Sequence, residues 1–419
     1  MTANFRAVNA ATFIADQARA GSPSAMPLAT LTGFYVSFRL FFVLLAVRVF
    51  SQDAQTGVTA SLALNYLLLV IAASYAMGPA RRTLRSIVHQ PSFRWVILFL
   101  GFSGISLTWS ATASTPAALA FWCAMTADTG IVVLLLRVDE IDRVVNSLMR
   151  GYIWGACAIA VAAWLMPMQS DLRLGDEELL GPNQIGWVCA FAFFFAQYLM
   201  RRKNGNWAVP ALLLAVTLLR SLSKTTIIAF VAGQAYILLR DRTISRGKKL
   251  LLMTFAVFVV AVFYSLLASY FDVYTNAGTQ SETLTGRLGI WAFFANEAIE
   301  KPWFGHGFHS VWKVIPPFYD GFEARHAHNE LLQQFYVYGA VGVFMLVAIY
   351  GSVYRQVSRL TDNSLKTFFL GMLVFVLVRG LADTEAFDLS LPMWFVVIIG
   401  TVIQQSRCHQ PPRRSEAPA

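Results

Sequence analysis

Apolar residues gather along this chain in long blocks, and short polar segments separate one block from the next. The run 331–351, LLQQFYVYGAVGVFMLVAIYG, is long and apolar enough to cross a bilayer, which takes about 20 such residues. The same reading along the sequence gives twelve candidate spans, at 31–50, 58–77, 95–109, 117–136, 151–168, 185–200, 207–219, 225–239, 250–271, 331–351, 367–378 and 389–402. Several are shorter than the bilayer core requires, so their ends extend into polar flanks or lie inside the bundle, shielded from lipid. The expected fold is all-α, a polytopic integral membrane protein of about 12 transmembrane helices with one large periplasmic loop. That organisation divides the chain into an N-terminal cytoplasmic segment 1–30, helices 1–9 over 31–271, the loop 272–330, helices 10–12 over 331–404 and a cytoplasmic tail 405–419. No internal repeat is visible.

Composition agrees with the pattern: 57% hydrophobic and 13% charged residues are too apolar for an ordinary water-soluble domain. The net charge of +10 raises the question of a nucleic-acid partner, which the positions of the cations answer in the negative. With a cytoplasmic N-terminus, the inside segments hold 23 of the 33 Lys and Arg, eight lie outside and two fall in the first span. Basic residues therefore follow the membrane, and the positive-inside rule turns the long loop outward. Residues 1–30 lack an apolar core followed by a small-residue cleavage site, so no cleaved signal peptide is expected. The four cysteines are scattered, with neither a disulfide framework nor a CxxC metal site. Neither a GxxxxGK[ST] loop nor a GxGxxG fingerprint is present, and no cofactor is expected.

The eight outward cations, Arg173, Arg220, Lys224, Arg287, Lys301, Lys313, Arg325 and Arg379, oppose the bias that orients the other basic residues. Arg220-Ser-Leu-Ser-Lys224-Thr occupies a very short outward turn and must lie close to the membrane surface. Snorkelling to lipid phosphates is one reading of that pair; an anionic ligand at the membrane edge is the other. Arg287, in Leu284-Thr-Gly-Arg-Leu-Gly-Ile-Trp291, sits near the start of a short amphipathic helix, where its planar fork suits phosphate oxygens or a structural salt bridge. Asp383, Glu385 and Asp388 follow Arg379 in an outward turn, placed to orient arginines or to hold acceptor hydroxyls.

Four of the six histidines, His306, His309, His326 and His328, fall in the long polar segment. Zinc is one use for them, but the spacing provides no HExxH helix and no third ligand for His326-Ala-His328 on a rigid element. Packing or capping is a second use for any one of them. Acid/base work by His328 is the third, because an imidazole with a free pKa near 6.5 suits proton abstraction. Asn329 can cap the helix that follows, fixing the backbone that carries His328, and Gly339 and Gly342 allow close helix approach.

Gly181-Pro-Asn183, Ser223-Lys224-Thr225, Leu284-Thr-Gly-Arg287 with Trp291, Lys301-Pro-Trp-Phe-Gly-His-Gly307, and His328-Asn329 with Gly339 and Gly342 together resemble the bacterial O-antigen ligase and Wzy-type polysaccharide polymerase family. The resemblance runs from about residue 180 to 390, with earlier spans matching in hydropathy only, and leans toward exopolysaccharide polymerases. It implies a GT-C-like, metal-independent, inverting glycosyltransferase of the bacterial inner membrane. Its partners would be an undecaprenyl-diphosphate-linked glycan, an acceptor glycan or lipid-linked sugar, membrane lipid, a chain-length regulator and a flippase. Carried over, the family roles make His328 the base for the acceptor hydroxyl and Arg287 the diphosphate-binding catalytic residue, with Arg220, Lys224, Arg325, Asn329, Asn183 and Glu385 binding substrate. The family often has arginine where this chain has Lys224, which binds phosphate as a point charge and not as a fork. Ligation of glycan to lipid A core is the first alternative, and transport of a lipid-linked oligosaccharide the second.

Overall fold

A computed structural model describes residues 25–78, 84–167, 173–176, 179–262, 264, 268–269, 284–318, 324–384 and 390–408. Among these residues every regular element is helical, and the one β feature is an isolated bridge between Asp176 and Leu180. In chain order the helices are α1 (Met26–Phe38), α2 (Phe41–Val49, ending in a π-helical turn), α3 (Ala54–Ala76), α4 (Leu84–Val88) and α5 (Pro91–Ser106). There follow α6 (Thr115–Val138), α7 (Ile141–Leu165), α8 (Pro182–Arg201), α9 (Ala208–Arg220) and α10 (Lys224–Arg240). The last five are α11 (Arg246–Val262), α12 (Leu284–Glu300), α13 (Glu330–Ser358), α14 (Asn363–Gly380) and α15 (Ser390–Cys408).

Each apolar block read from the sequence overlaps a helix, the first as the pair α1 and α2 bent by 66°. Among the described residues five helices, α3, α6, α7, α13 and α14, are long and apolar enough to cross a membrane, six if the bent pair counts as one span. The others are shorter or less apolar. The described part of the polar segment 272–330 is itself ordered, since it contains α12.

Helix starts follow side-chain chemistry. The Asn329 side chain accepts from Leu332 N at 3.0 Å and begins α13, and Asp362 accepts from Ser364 and Leu365 N to begin α14. Aromatic packing fills the interior, as where Phe191 of α8 meets Phe375 of α14 edge to face at 5.1 Å and Tyr152 stacks on Trp394. A partly buried charge pair lies between the first helices and α6, where Arg39, at the bend of the first pair, bonds the buried Asp128 at 2.6 Å.

The packing that positions the site is α10 against α14. A Cβ on Gly371 would lie 2.3 Å from Ile237, and one on Gly233 would lie 2.8 Å from the Gly371 carbonyl, so two glycines let the helices close on each other. The pair is antiparallel. Thr225, in the first turn of α10, thereby comes to the same end of the bundle as Arg379, in the last turn of α14.

Candidate functional site

Arg379 is 7% exposed and extends its guanidinium over the Trp187 ring, 5.6 Å from the centroid. Its Nη2 donates to Asp383 Oδ2 at 3.1 Å, a contact set by the i,i+4 spacing at the helix end. The other carboxylate oxygen accepts from Thr384 N at 3.0 Å and lies 3.8 Å from His328 Nδ1. That separation is ion-pair range, beyond a direct hydrogen bond.

His328 stands on a locked backbone. Its φ of +52° is one that L-residues seldom adopt, and its N–H donates to His326 Nδ1 at 3.3 Å. Next to it, Ala327 N donates to Gln333 Oε1 at 2.8 Å. Asn329 caps α13 with its oxygen and donates its Nδ2 to Leu381 O at 2.9 Å, tying the histidine turn to the end of α14. Glu330 accepts from Tyr350 Oη at 2.9 Å and, with Phe191, Phe375, Arg379 and Asp383, lines a small cavity beneath the turn.

Arg287 reaches the same place from α12. It is 8% exposed, and its Nη1 donates both to Thr225 Oγ1 at 3.0 Å and to Ala382 O at 2.7 Å. Its Nε is buried and has no protein partner among the described residues, and the same holds for Nε of Arg379. A buried N–H without a partner is costly unless a ligand or water completes it.

The charges here act on one another. Burial alone would raise the Asp383 carboxyl, but Arg379, His328 and His326 beside it outweigh burial and hold it below the usual carboxylate range. Desolvation, with His328 close by and Arg379 and Arg287 adding to the effect, keeps His326 neutral, well below the ordinary histidine range. The result is an ionised Asp383 facing His328, with two arginines alongside.

His306 and His309 are held in aromatic packing. His306 stacks on Tyr336 with centroids 4.4 Å apart and donates Nδ1–H to the Tyr336 carbonyl at 3.2 Å. His309 stacks on Phe121, meets Thr112 Oγ1 at 2.9 Å, and has its pKa pushed down to about 4 by burial. Ligand atoms of His326, His328 and Asp383 lie within 4.8 Å of one another, so Asp383 is the third donor that spacing alone did not reveal. The set fits a cation poorly, because Arg379 already holds the carboxylate and His326 Nδ1 already accepts from His328 N. Activity is accordingly expected to be unchanged by EDTA; abolition by chelation and recovery with one added metal would transfer the function of this cluster to ion binding.

Several expected site residues lie at or beside this point. Lys224 opens α10 next to Thr225, and Asn183 is bonded to Ser223 of the same turn at 2.9 Å. Asn329 acts on the backbone, with both ends of its amide engaged by the protein. Arg220 closes α9 one turn before, and Arg325 is exposed at the entry to the histidine turn. Glu385 lies outside the described residues. Asp383 takes the place expected for a carboxylate, and its signal in the sequence is the four-residue offset from Arg379.

A bundle with several helices long and apolar enough to cross a membrane defines a multi-pass membrane protein. Residues 209–347 match the family model described as O-antigen ligase, a stretch holding Lys224, Arg287 and His328. The chain is 27% identical over 369 residues to the exopolysaccharide production protein ExoQ of Rhizobium meliloti, covering 81% of this chain and 82% of that one. It is 25% identical over 355 residues to the O-antigen ligase of Pseudomonas aeruginosa, covering 80% and 82%. The resemblance drawn from the motifs is thus shown, at modest identity over most of the chain.

Proposed function

We propose that this protein is a membrane glycosyltransferase that moves a glycan from undecaprenyl diphosphate to an acceptor sugar hydroxyl at the periplasmic face of the inner membrane. The observation that carries the reading is the pair of buried arginines with partnerless Nε–H groups beside an Asp-faced histidine. Arg287 has Nη1 committed to Thr225 and Ala382, which leaves the Nε edge of the fork for phosphate oxygens. A diphosphate leaving group needs its developing charge neutralised, and fixed guanidinium groups do this in a dry site without a metal.

The acceptor hydroxyl needs a base. Facing Asp383 with its Nδ1, the His328 imidazole takes the proton as the hydroxyl oxygen attacks the anomeric carbon. The C–O bond to the diphosphate breaks, and the anomeric configuration inverts. Asp383, ionised and held by Arg379, stabilises the imidazolium that forms. Lys224 adds charge at the membrane edge.

Polymerisation of exopolysaccharide or O-antigen repeat units is the favoured acceptor chemistry. It is supported by the His326-Ala-His328-Asn329 and Leu284-Thr-Gly-Arg287 motifs and by the likeness to an exopolysaccharide production protein. The likeness to an O-antigen ligase supports the second reading, transfer to lipid A core. A deletion strain separates them. Single repeat units still capping lipid A, with all long polymer lost, indicate a polymerase; polymer stranded on its lipid carrier indicates a ligase.

The orientation is testable on its own. The partition of 23 inside and eight outside basic residues predicts that a cysteine at Ser281→Cys is labelled from the periplasm and one at Ser415→Cys only from the cytoplasm. Labelling of the Ser281 position only after the inner membrane is permeabilised reverses the topology and removes the site from the periplasm.

A further inference from the structure

The stretch Lys301 to Gly307, which no step above uses, is spliced into a helix. α13 is interrupted at Gly339, where φ is +64° and ψ −158°. In an unbroken helix the N–H groups of Ala340 and Val341 would bond the carbonyls of Tyr336 and Val337. Here Ala340 N donates to Pro302 O at 2.7 Å and Val341 N to Trp303 O at 3.3 Å. The two carbonyls left over accept from His306 N at 3.0 Å and Gly307 N at 2.8 Å. Backbone groups of the loop therefore replace both partners of two helical hydrogen bonds.

The seat is tight. A Cβ on Gly339 would lie 2.3 Å from the Trp303 carbonyl carbon, and one on Gly305, at φ +62°, would lie 2.5 Å from Val337. On its other side the loop is fastened to the end of α5, where Phe308 N donates to Ser106 Oγ at 3.0 Å and Ala111 N to His306 O at 2.9 Å.

These contacts fix the height of the loop. Tyr338 meets Ser103 Oγ at 3.1 Å and packs on Phe99, so the break is level with the last turns of α5. From Ala340 to Ser358 the helix rises about 28 Å, close to the roughly 30 Å hydrocarbon core. The break thus stands where one span ends. Trp303 and Phe304 are 69% and 57% exposed. Phe304 packs against Phe102 of α5 and against Trp109, and Ile105 of the same helix is 62% exposed. Lys301, two residues before Trp303, is exposed. Aromatic rings capped by a cation are the composition of a membrane–water boundary.

We propose that Lys301 to Gly307 is an interfacial wedge whose Trp303 and Phe304 side chains lie in phospholipid, at the boundary of headgroups and acyl chains. Non-helical backbone is tolerated at that depth because the break in α13 pairs with it. Since the wedge sets the break, and the histidine turn opens the same helix, lipid contact fixes the height of the site above the membrane.

The test is tryptophan quenching in vesicles of phosphatidylethanolamine and phosphatidylglycerol, with lipids brominated near the ester carbonyl or near the chain middle. The signal is the difference in emission between the wild type, which has 11 Trp, and Trp303→Phe. That difference is expected to be quenched at least about twofold more by the near-carbonyl bromines than by the mid-chain ones or by aqueous iodide. Phe304→Trp should add a signal with the same depth profile, which covers any loss of folding in the first variant. Quenching chiefly by iodide places the loop in water and overturns the proposal; quenching chiefly by mid-chain bromines overturns the interfacial depth. Lipid contact is read here without any glycan, so the outcome does not depend on the transfer activity.

Discussion

Replacing His328 by alanine is expected to lower glycan transfer by about 10² to 10⁴, the usual worth of a positioned base, with the protein still folded and inserted. The structure concentrates several constraints on this imidazole. Its backbone is held at positive φ, its N–H is bonded to His326, and its neighbour Asn329 is tied to both α13 and Leu381. Asp383 faces Nδ1 at 3.8 Å, and Arg379 keeps that carboxylate in place. Asp383→Asn should therefore slow transfer, but less than the histidine variant, because it removes the carboxylate that stabilises the imidazolium formed during transfer. Turnover is measured from a lipid-linked donor at matched membrane protein levels. Near-wild-type turnover by His328→Ala removes the base assignment and moves it to His326, since His306 and His309 are engaged in packing.

Arg287→Ala is expected to be as severe, with transfer lowered by about 10² to 10³ through loss of a fixed charge at the leaving group. Arg287→Lys should recover only part of it. The guanidinium bonds Thr225 and Ala382 through Nη1 while keeping Nε directed elsewhere. One ammonium cannot bond α10, the end of α14 and a phosphate in the same geometry. Lys224→Ala should be milder, because the side chain at the start of α10 contributes charge without a fork. Equal activity of Arg287→Lys and wild type would mean that the position supplies charge alone.

The helices were legible because their signal is local: each apolar block overlaps a helix, and five of those helices among the described residues are long and apolar enough to cross a membrane. Asn329 was legible for the same reason, since capping depends on neighbours three residues away. His328 and Arg287 stood out as polar groups beside apolar runs. Asp383 was harder to single out, because three carboxylates follow Arg379 within nine residues, and choosing among them depends on how the chain turns after α14. The aromatic seat of Arg379 is contributed by Trp187, far away in sequence, and no periodicity reveals it. Gly339 was read as a point of close helix approach. It does allow a close approach, but to the loop carbonyl of Trp303, and at a positive φ that breaks the helix. Nothing local distinguishes a glycine that packs from one that admits a second chain segment.

The most direct measurement is made on purified protein in proteoliposomes, supplied with an undecaprenyl-diphosphate-linked glycan and an acceptor glycan, with EDTA and no nucleotide. A lengthened or transferred glycan and free undecaprenyl diphosphate are expected from the wild type, and about 10²- to 10⁴-fold less of both from His328→Ala. Movement of the intact lipid-linked glycan across the bilayer, with no new glycosidic bond, would contradict glycan transfer and identify a transporter.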